Sequence, residues 1–226
     1  MVDDIKMAKS MGFNTLRKHI KVESLRWYWH CDRLGILVWQ DMVSGGGNYF
    51  FPIISAPLVL GSHLKDNHYF LLRRKDKEMR AEFEKNLYAM IDHLYNVTSI
   101  AMWVPFNEAW GQFDTKAVAD YTKALEPTRL VNAASGGNWI EGAGDILDTH
   151  NYPHPQMRIL DDKMVNVLGE YGGIGYPLEG HLWETGRNWG YIQFEDTEAV
   201  TDMYVTYAND LLDIKQNDKC AAAVYT

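Results

Sequence analysis

Apolar positions recur along the chain in two alternating rhythms, short apolar runs and longer stretches with a single apolar face, and their order predicts the secondary structure. Asp3 to Met11 reads as a helix that ends at Gly12, and Phe13 to His19 follows as a strand. The theme repeats with a helix from Glu23 to Leu34, stopped by Gly35, and a wholly apolar strand from Ile36 to Trp39 of the kind buried on both faces. From about Asp76 to Asn96, Met79, Phe83, Leu87, Ile91 and Leu94 fall at near-fourfold spacing, which places them on one helical face. A strand from Ile100 to Asn107, a helix near Thr115 to Leu125, and strands at Leu130 to Ala133, Ile146 to His150 and Val165 to Glu170 come next. The last helix, about Thr197 to Ile214, carries Val200, Met203, Tyr204, Tyr207 and Leu211 on one face and leads into the run AAAVYT.

Strands that alternate with amphipathic helices imply a parallel sheet joined by helical crossovers. The predicted fold class is therefore α/β, a (β/α)8 TIM barrel. Strand-type runs near Phe13, Ile36, Ile100, Leu130, Ile146, Val165 and Ala221 make seven, whereas a closed barrel has eight. Because the sequence opens on a helix and ends on a strand, the expectation is a truncated barrel, its first strand lying before Met1 and its last helix beyond Thr226. No repeat, low-complexity tract or Pro/Gly-rich linker divides the sequence, so residues 1–226 read as one partial barrel domain. An irregular insertion, Val43 to Lys75, carries Gly45, Gly46, Gly47 and the aromatic-rich NYFFPII, which suits a lid over a barrel mouth better than a linker. Pro105 has no amide hydrogen for a central ladder, so the strand through it must bulge or end early.

Composition narrows the partners. With 46% hydrophobic and 23% charged residues, the chain is globular rather than disordered, and no window reaches the roughly 18 uncharged apolar residues of a membrane span. The formal net charge of −8 comes without a Lys/Arg cluster, so neither nucleic acid nor an anionic membrane is an expected partner and a neutral ligand fits better. Cys31 and Cys220 are read as free thiols, not a disulfide framework. Eight Trp and thirteen Tyr serve cores first, with stacking on apolar sugar faces as a second use. Neither SGGNW nor GAGDIL gives the spacing of a dinucleotide loop, and no cofactor is expected.

In a parallel barrel the functional groups sit where strands end. The polar residues at those points are Arg17, His19, Asp41, Asn107, Glu108, His150, Tyr152 and Glu170. A single strand-end carboxylate is more often a solvated loop residue or a helix cap. Two of them after apolar strands are what retaining glycoside hydrolysis requires, one to protonate the leaving oxygen and one to attack the anomeric carbon, with roughly 5 to 5.5 Å between them, against about 6.5 to 9.5 Å for inversion.

The stretches GFNTLRKHI, CDRLGILVWQDM, WVPFNEAWG and VLGEYGG together resemble the catalytic domain of glycoside hydrolase family 2, the β-galactosidase and β-glucuronidase family, in its order and over nearly the whole chain. The resemblance implies a retaining β-glycosidase, β-galactoside-like, with Glu108 as acid/base, Glu170 as nucleophile and Asn107 on the sugar 2-hydroxyl. A neighbouring anionic carboxylate in a partly apolar pocket is the means by which such an acid stays protonated. Arg17 matches the family's strand-end arginine, suited to keep the nucleophile ionised, against a plain structural ion pair. Tyr152 matches a tyrosine beside the nucleophile. His19, His150, Asp41 and Trp110 are further substrate candidates, as are Trp139, Trp183 and Trp189, with packing the competing role for each ring. Gly169 departs from the family, standing where many relatives have a small polar residue. The resemblance also implies a carbohydrate substrate, no metal, accessory β-sandwich domains in the whole protein, and a periplasmic or extracellular location.

Two other readings compete. A metal-dependent barrel hydrolase would use His150, His154 and a carboxylate, but Pro153 and Pro155 exclude the helix that puts such a pair on one face. In a carbohydrate-binding or structural remnant, both carboxylates are present but an incomplete barrel does not hold them in register.

Overall fold

A computed structural model describes residues 1–60, 64–184 and 188–226. The chain forms two compact units, Met1–Ile146 and Leu147–Thr226.

The first unit is built as the apolar rhythm requires. Helix α1 (Val2–Ser10) is followed by strand β1 (Thr15–Lys18), α2 (Leu25–Leu34) and β2 (Leu37–Asp41). Gly35 ends α2 in a left-handed conformation, φ 69°, a backbone position that costs glycine little. After α3 (Phe51–Leu60) and α4 (Lys77–Leu94) come β3 (Ile100–Val104), β4 (Phe106–Asn107), α5 (Thr115–Leu125), β5 (Leu130–Val131) and β6 (Ala134–Ser135). Four strands form a sheet in the order β1-β2-β3-β5, every pair parallel, and β4 pairs with β6, also parallel.

Several details depart from the sequence-based expectations. Pro105 splits the strand expected over Ile100 to Asn107 into β3 and β4, the early end that its missing amide hydrogen requires. Leu130 to Ala133 is likewise not one strand: β5 stops at Val131, the Asn132 amide bonds Trp103 O at 2.9 Å, and pairing resumes at Ala134. The strand expected to be wholly buried starts one residue later, with Leu37 exposed and Val38 to Asp41 buried. Ten residues of the segment expected to be irregular, Phe51–Leu60, are helical.

Helix α4 is fixed at its start by Asp76, whose carboxylate accepts the Glu78 amide, an N-cap of the ordinary kind. Its inward face is Phe83, Leu87, Met90, Ile91 and Leu94. Met79 belongs to the same periodic series but is exposed, because it lies in the first turn. With Trp27, Tyr28, Val38, Ile100, Trp103 and Phe106 these residues form the core of the unit.

The second unit begins within β7 (Ile146–Asn151), whose first residue is the last of the first unit. It contains β8 (Val165–Tyr171), β9 (Ile174–Gly175), β10 (Ile192–Gln193), α6 (Thr197–Asn217) and β11 (Ala222–Tyr225). The sheet order is β11-β8-β7, with β11 parallel to β8, and the short β9 and β10 pair with each other. Met157, Leu168, Tyr171, Tyr207 and Ile214 make its core, with Met203 and Leu211 partly buried against it. Cys31 and Cys220 are both free thiols. Among the described residues no helix is long and apolar enough to cross a membrane.

Candidate active site

The strand ends of the first unit gather four of the expected residues. Arg17, on β1, donates from Nε to Asp41 Oδ1 at 3.1 Å and from Nη2 to Asp41 Oδ2 at 2.8 Å. The two side chains are only 3% and 1% exposed. Such a two-pronged arginine–carboxylate pair fixes geometry as well as charge. Burial by itself pushes the Asp41 carboxyl up, but the Arg17 charge and the bonds from His19 and Arg17 outweigh it and hold the group below its ordinary value. His19 Nδ1 lies 3.4 Å from Asp41 with its ring half in solvent, and the Ile20 amide donates to the same carboxylate.

Arg17 Nη2 also donates to Asn107 Oδ1 at 2.8 Å. Guanidinium has no acceptor, so this contact sets the amide's orientation and turns its nitrogen the other way. Asn107 is buried at the end of β4.

Glu108 follows on a turn with two consecutive left-handed residues, Glu108 at φ 47° and Ala109 at φ 63°. Left-handed backbone is unfavourable for residues with a Cβ, and such strain collects at functional positions. The turn is held by the Glu108 amide on Ser135 O and the Trp110 amide on Asn107 O, each 2.9 Å. Gly137 lets the backbones approach: a Cβ there would lie 2.7 Å from the Glu108 Cα. Trp110 Nε1 reaches Glu108 Oε2 at 3.4 Å, and its ring packs edge-on against Tyr49 at 5.0 Å.

The second unit holds the other expected residues. Six of the seven β8 residues are buried, Glu170 among them. The Tyr152 hydroxyl donates to Glu170 Oε2. Burial, then the Glu170 charge and this bond, raise the Tyr152 hydroxyl far above its ordinary value, so it remains a donor at every physiological pH. His150 is buried, with Nδ1 3.5 Å from Glu170 and Nε2 3.9 Å from Asp148. His154 has different neighbours: it is exposed and sets its ring edge-on to Tyr207 at 5.2 Å. Tyr191 stacks on Tyr152 at 3.9 Å, and Trp189 meets Tyr191 edge-on at 5.0 Å. Trp183 is fully exposed, while Trp139 is half-buried in the first unit.

Asp148 and Tyr191 were not singled out from the sequence. A signal for Asp148 was available, since an acid two residues before His150 in a six-residue strand shares its face. All six β7 residues are buried. Asp148 accepts the Gly169 amide at 2.8 Å, and a Cβ on residue 169 would lie 2.2 Å from both carboxylate oxygens. This gives the departure at Gly169 a physical basis: the Asp148 carboxylate fills the space a side chain would take. Gly169→Ala is expected to destabilise the second unit by about 1–3 kcal/mol, the usual cost of overpacking, read as a lower urea midpoint at unchanged slope. An unchanged midpoint would mean that Asp148 moves aside freely.

Residues 1–170 match the family model for glycosyl hydrolases family 2, TIM barrel domain. No curated protein matches the sequence. Among solved structures, a β-D-glucuronidase of Dictyoglomus thermophilum is similar over 99% of this chain and 39% of its own, at 14% identity and a TM-score of 0.66. A family 2 β-galacturonidase from Eisenbergiella tayi, bound to galacturonate, is similar over 99% of this chain and 38% of its own, at 15% identity and a TM-score of 0.62. The β-glucuronidase of Parabacteroides merdae covers 76% of this chain and 21% of its own, at 18% identity and a TM-score of 0.54. At these identities the likeness is one of fold. The chain spans about a fifth to two fifths of the length of these proteins.

Proposed function

Because the chain belongs to glycosyl hydrolase family 2, we propose that it carries the reaction of a retaining β-glycosidase, with Glu170 as nucleophile and Glu108 as acid/base. The observation that carries the reading is the setting of Glu170, a buried strand-end carboxylate that accepts from Tyr152 and is flanked by His150. A carboxylate so placed is held in one orientation by a donor that stays protonated, as an attacking oxygen needs.

In this scheme a Glu170 oxygen bonds the anomeric carbon as the glycosidic bond breaks, and Glu108 gives its proton to the departing oxygen. The product alcohol leaves, and the sugar remains as an ester of Glu170. Glu108, now ionised, takes a proton from water, whose oxygen attacks the anomeric carbon and returns Glu170 to its carboxylate. The Asn107 nitrogen, turned away from Arg17, donates to the sugar 2-hydroxyl. Tyr152 stabilises the charge on Glu170 before attack and after release. Asp41 and Arg17 fix Asn107, while His19, Trp110 and the Tyr191–Trp189 rings supply further sugar contacts.

The substrate read from the sequence is a terminal β-galactoside, and accessory β-sandwich domains belong to the whole protein. A second reading, a β-uronide, is favoured by the solved neighbours, which are glucuronidases and a galacturonidase. Turnover of aryl β-galactoside against aryl β-glucuronide separates the two. No turnover of any aryl β-glycoside by the cooperatively folded chain would favour the remnant reading. The acid/base assignment is tested with Glu108→Gln: kcat/KM is expected to fall by about 10²-fold for phenyl glycosides and little for dinitrophenyl glycosides, which leave without a proton. An equal loss for both leaving groups would remove Glu108 from that role.

A further inference from the structure

Residues 64–74, the last third of the 43–75 segment, grip the chain that follows Glu108 at three points within the first unit. Asp66 Oδ2 accepts the Thr115 amide at the start of α5. The Tyr69 hydroxyl bonds both Asp114 oxygens, at 2.9 and 2.8 Å. Arg74 Nε donates to Gly111 O at 2.6 Å, and its Nη2 donates to Ser44 O in the loop after β2.

Arg74 is the unusual member. Its side chain is 2% exposed, and its guanidinium carbon lies 4.9 Å from the ring centre of Phe83 and 5.3 Å from that of Phe113. No carboxylate pairs with it among the described residues. A buried cation without a counter-ion is costly, and an apolar residue of similar volume would stabilise this core at least as well. What the guanidinium adds is a rigid fork that fixes two backbone carbonyls at once. Gly111, at φ 65°, is enclosed by the 43–75 segment, since a Cβ there would lie 2.7 Å from the Tyr49 hydroxyl, 2.8 Å from Gly45 O and 2.9 Å from Arg74 Nη2. Gly111 closes the left-handed turn that begins at Glu108, three residues earlier.

We infer that Arg74 is a positioning residue for the acid/base: by fixing the Gly111 carbonyl against Ser44 it sets the pitch of the Glu108–Gly111 turn, and with it the aim of the Glu108 carboxyl. Residues 64–74 then act as a brace for the catalytic turn. This rests on the reading of Glu108 as acid/base. A purely structural role would lower stability and act alike on all substrates, whereas misaiming the acid matters only where the leaving oxygen needs a proton.

The test compares the unsubstituted chain with Arg74→Lys, Arg74→Met and Glu108→Gln on aryl β-glycosides of graded leaving-group pKa. For both Arg74 variants kcat/KM is expected to fall by about 10-fold or more on the phenyl glycoside and by less than about 3-fold on the dinitrophenyl glycoside, the same gradient as Glu108→Gln. A graded loss in Glu108→Gln with a flat one in the Arg74 variants would overturn the inference alone. A flat loss in Glu108→Gln would overturn the acid/base reading and this inference with it. If Arg74→Met does not fold, Arg74→Lys carries the test, because it keeps a charge between Phe83 and Phe113. Amide exchange supplies a readout independent of turnover: the Trp110 and Gln112 amides are expected to exchange faster in Arg74→Lys while those of β1 to β3 do not change. Unaltered exchange at Trp110 and Gln112 would also overturn the inference.

Discussion

Glu170→Gln is expected to lower turnover of an activated aryl β-glycoside by about 10⁴-fold or more, the scale seen when a nucleophile is removed. The substitution keeps the shape of the side chain, and the Gln carbonyl still accepts from Tyr152, so the second unit should fold as before. In the proposed scheme it removes the electron pair that bonds the anomeric carbon, and an activated leaving group does not compensate, because the defect is in attack and not in protonation. This separates it from Glu108→Gln, whose loss in kcat/KM on the same substrate is small because the first step there needs no proton. A 2-fluoro glycoside supplies the companion measurement. The unsubstituted chain is expected to gain the mass of one fluorosugar on the peptide that contains Glu170, and the variant to gain none. A label on any other carboxylate would move the nucleophile elsewhere.

The second large effect concerns stability. Arg17→Met is expected to destabilise the first unit by about 3–5 kcal/mol at neutral pH, because it leaves Asp41 charged, buried and without its guanidinium. The sign of the pH dependence follows from the direction of the Asp41 shift. Its carboxyl is held below the ordinary value of 3.8, so the pair's contribution is complete above that value and is lost as pH falls through the lower folded one. In the variant only His19 and the Ile20 amide still offset burial, the Arg17 charge is gone, and Asp41 takes up a proton at higher pH than in the unsubstituted chain. The deficit should therefore be largest near pH 7 and narrow on acidification toward pH 4. Urea unfolding of both proteins at the two pH values measures it, and a deficit independent of pH would show that lost packing, not charge, is the cause.

What was legible in the sequence follows from how local each signal was. The stop at Gly35 and the break at Pro105 act through their own backbone and stand where expected. The strand-end rule singled out Arg17, His19, Asp41, Asn107, Glu108, His150, Tyr152 and Glu170 as candidates, because a polar residue closing an apolar run is visible without knowledge of its partners. Helix α3 was not visible: FPIISAPLVL is apolar all round and has Pro57 within it, so it offers neither period nor propensity. Arg74 and Asp148 were missed for another reason. Each takes its meaning from distant chain, Arg74 from Gly111 and Phe113, and Asp148 from the amide of Gly169. The roles of Met79 and Leu37 were misjudged because periodicity gives a face but not where the neighbouring element ends.

The contact between Asp148 and Gly169 also bears on how the sequence can drift. A Cβ at 169 and a carboxylate at 148 exclude one another at 2.2 Å, so the two positions behave as one choice with two states. Shortening residue 148 first opens the space for a side chain at 169, whereas the opposite order passes through an intermediate in which the Asp148 carboxylate has to shift, one residue from Glu170. The order of the two changes thus matters beside Glu170, and the double variant Asp148→Ala/Gly169→Ala should relieve the crowding that Gly169→Ala alone creates.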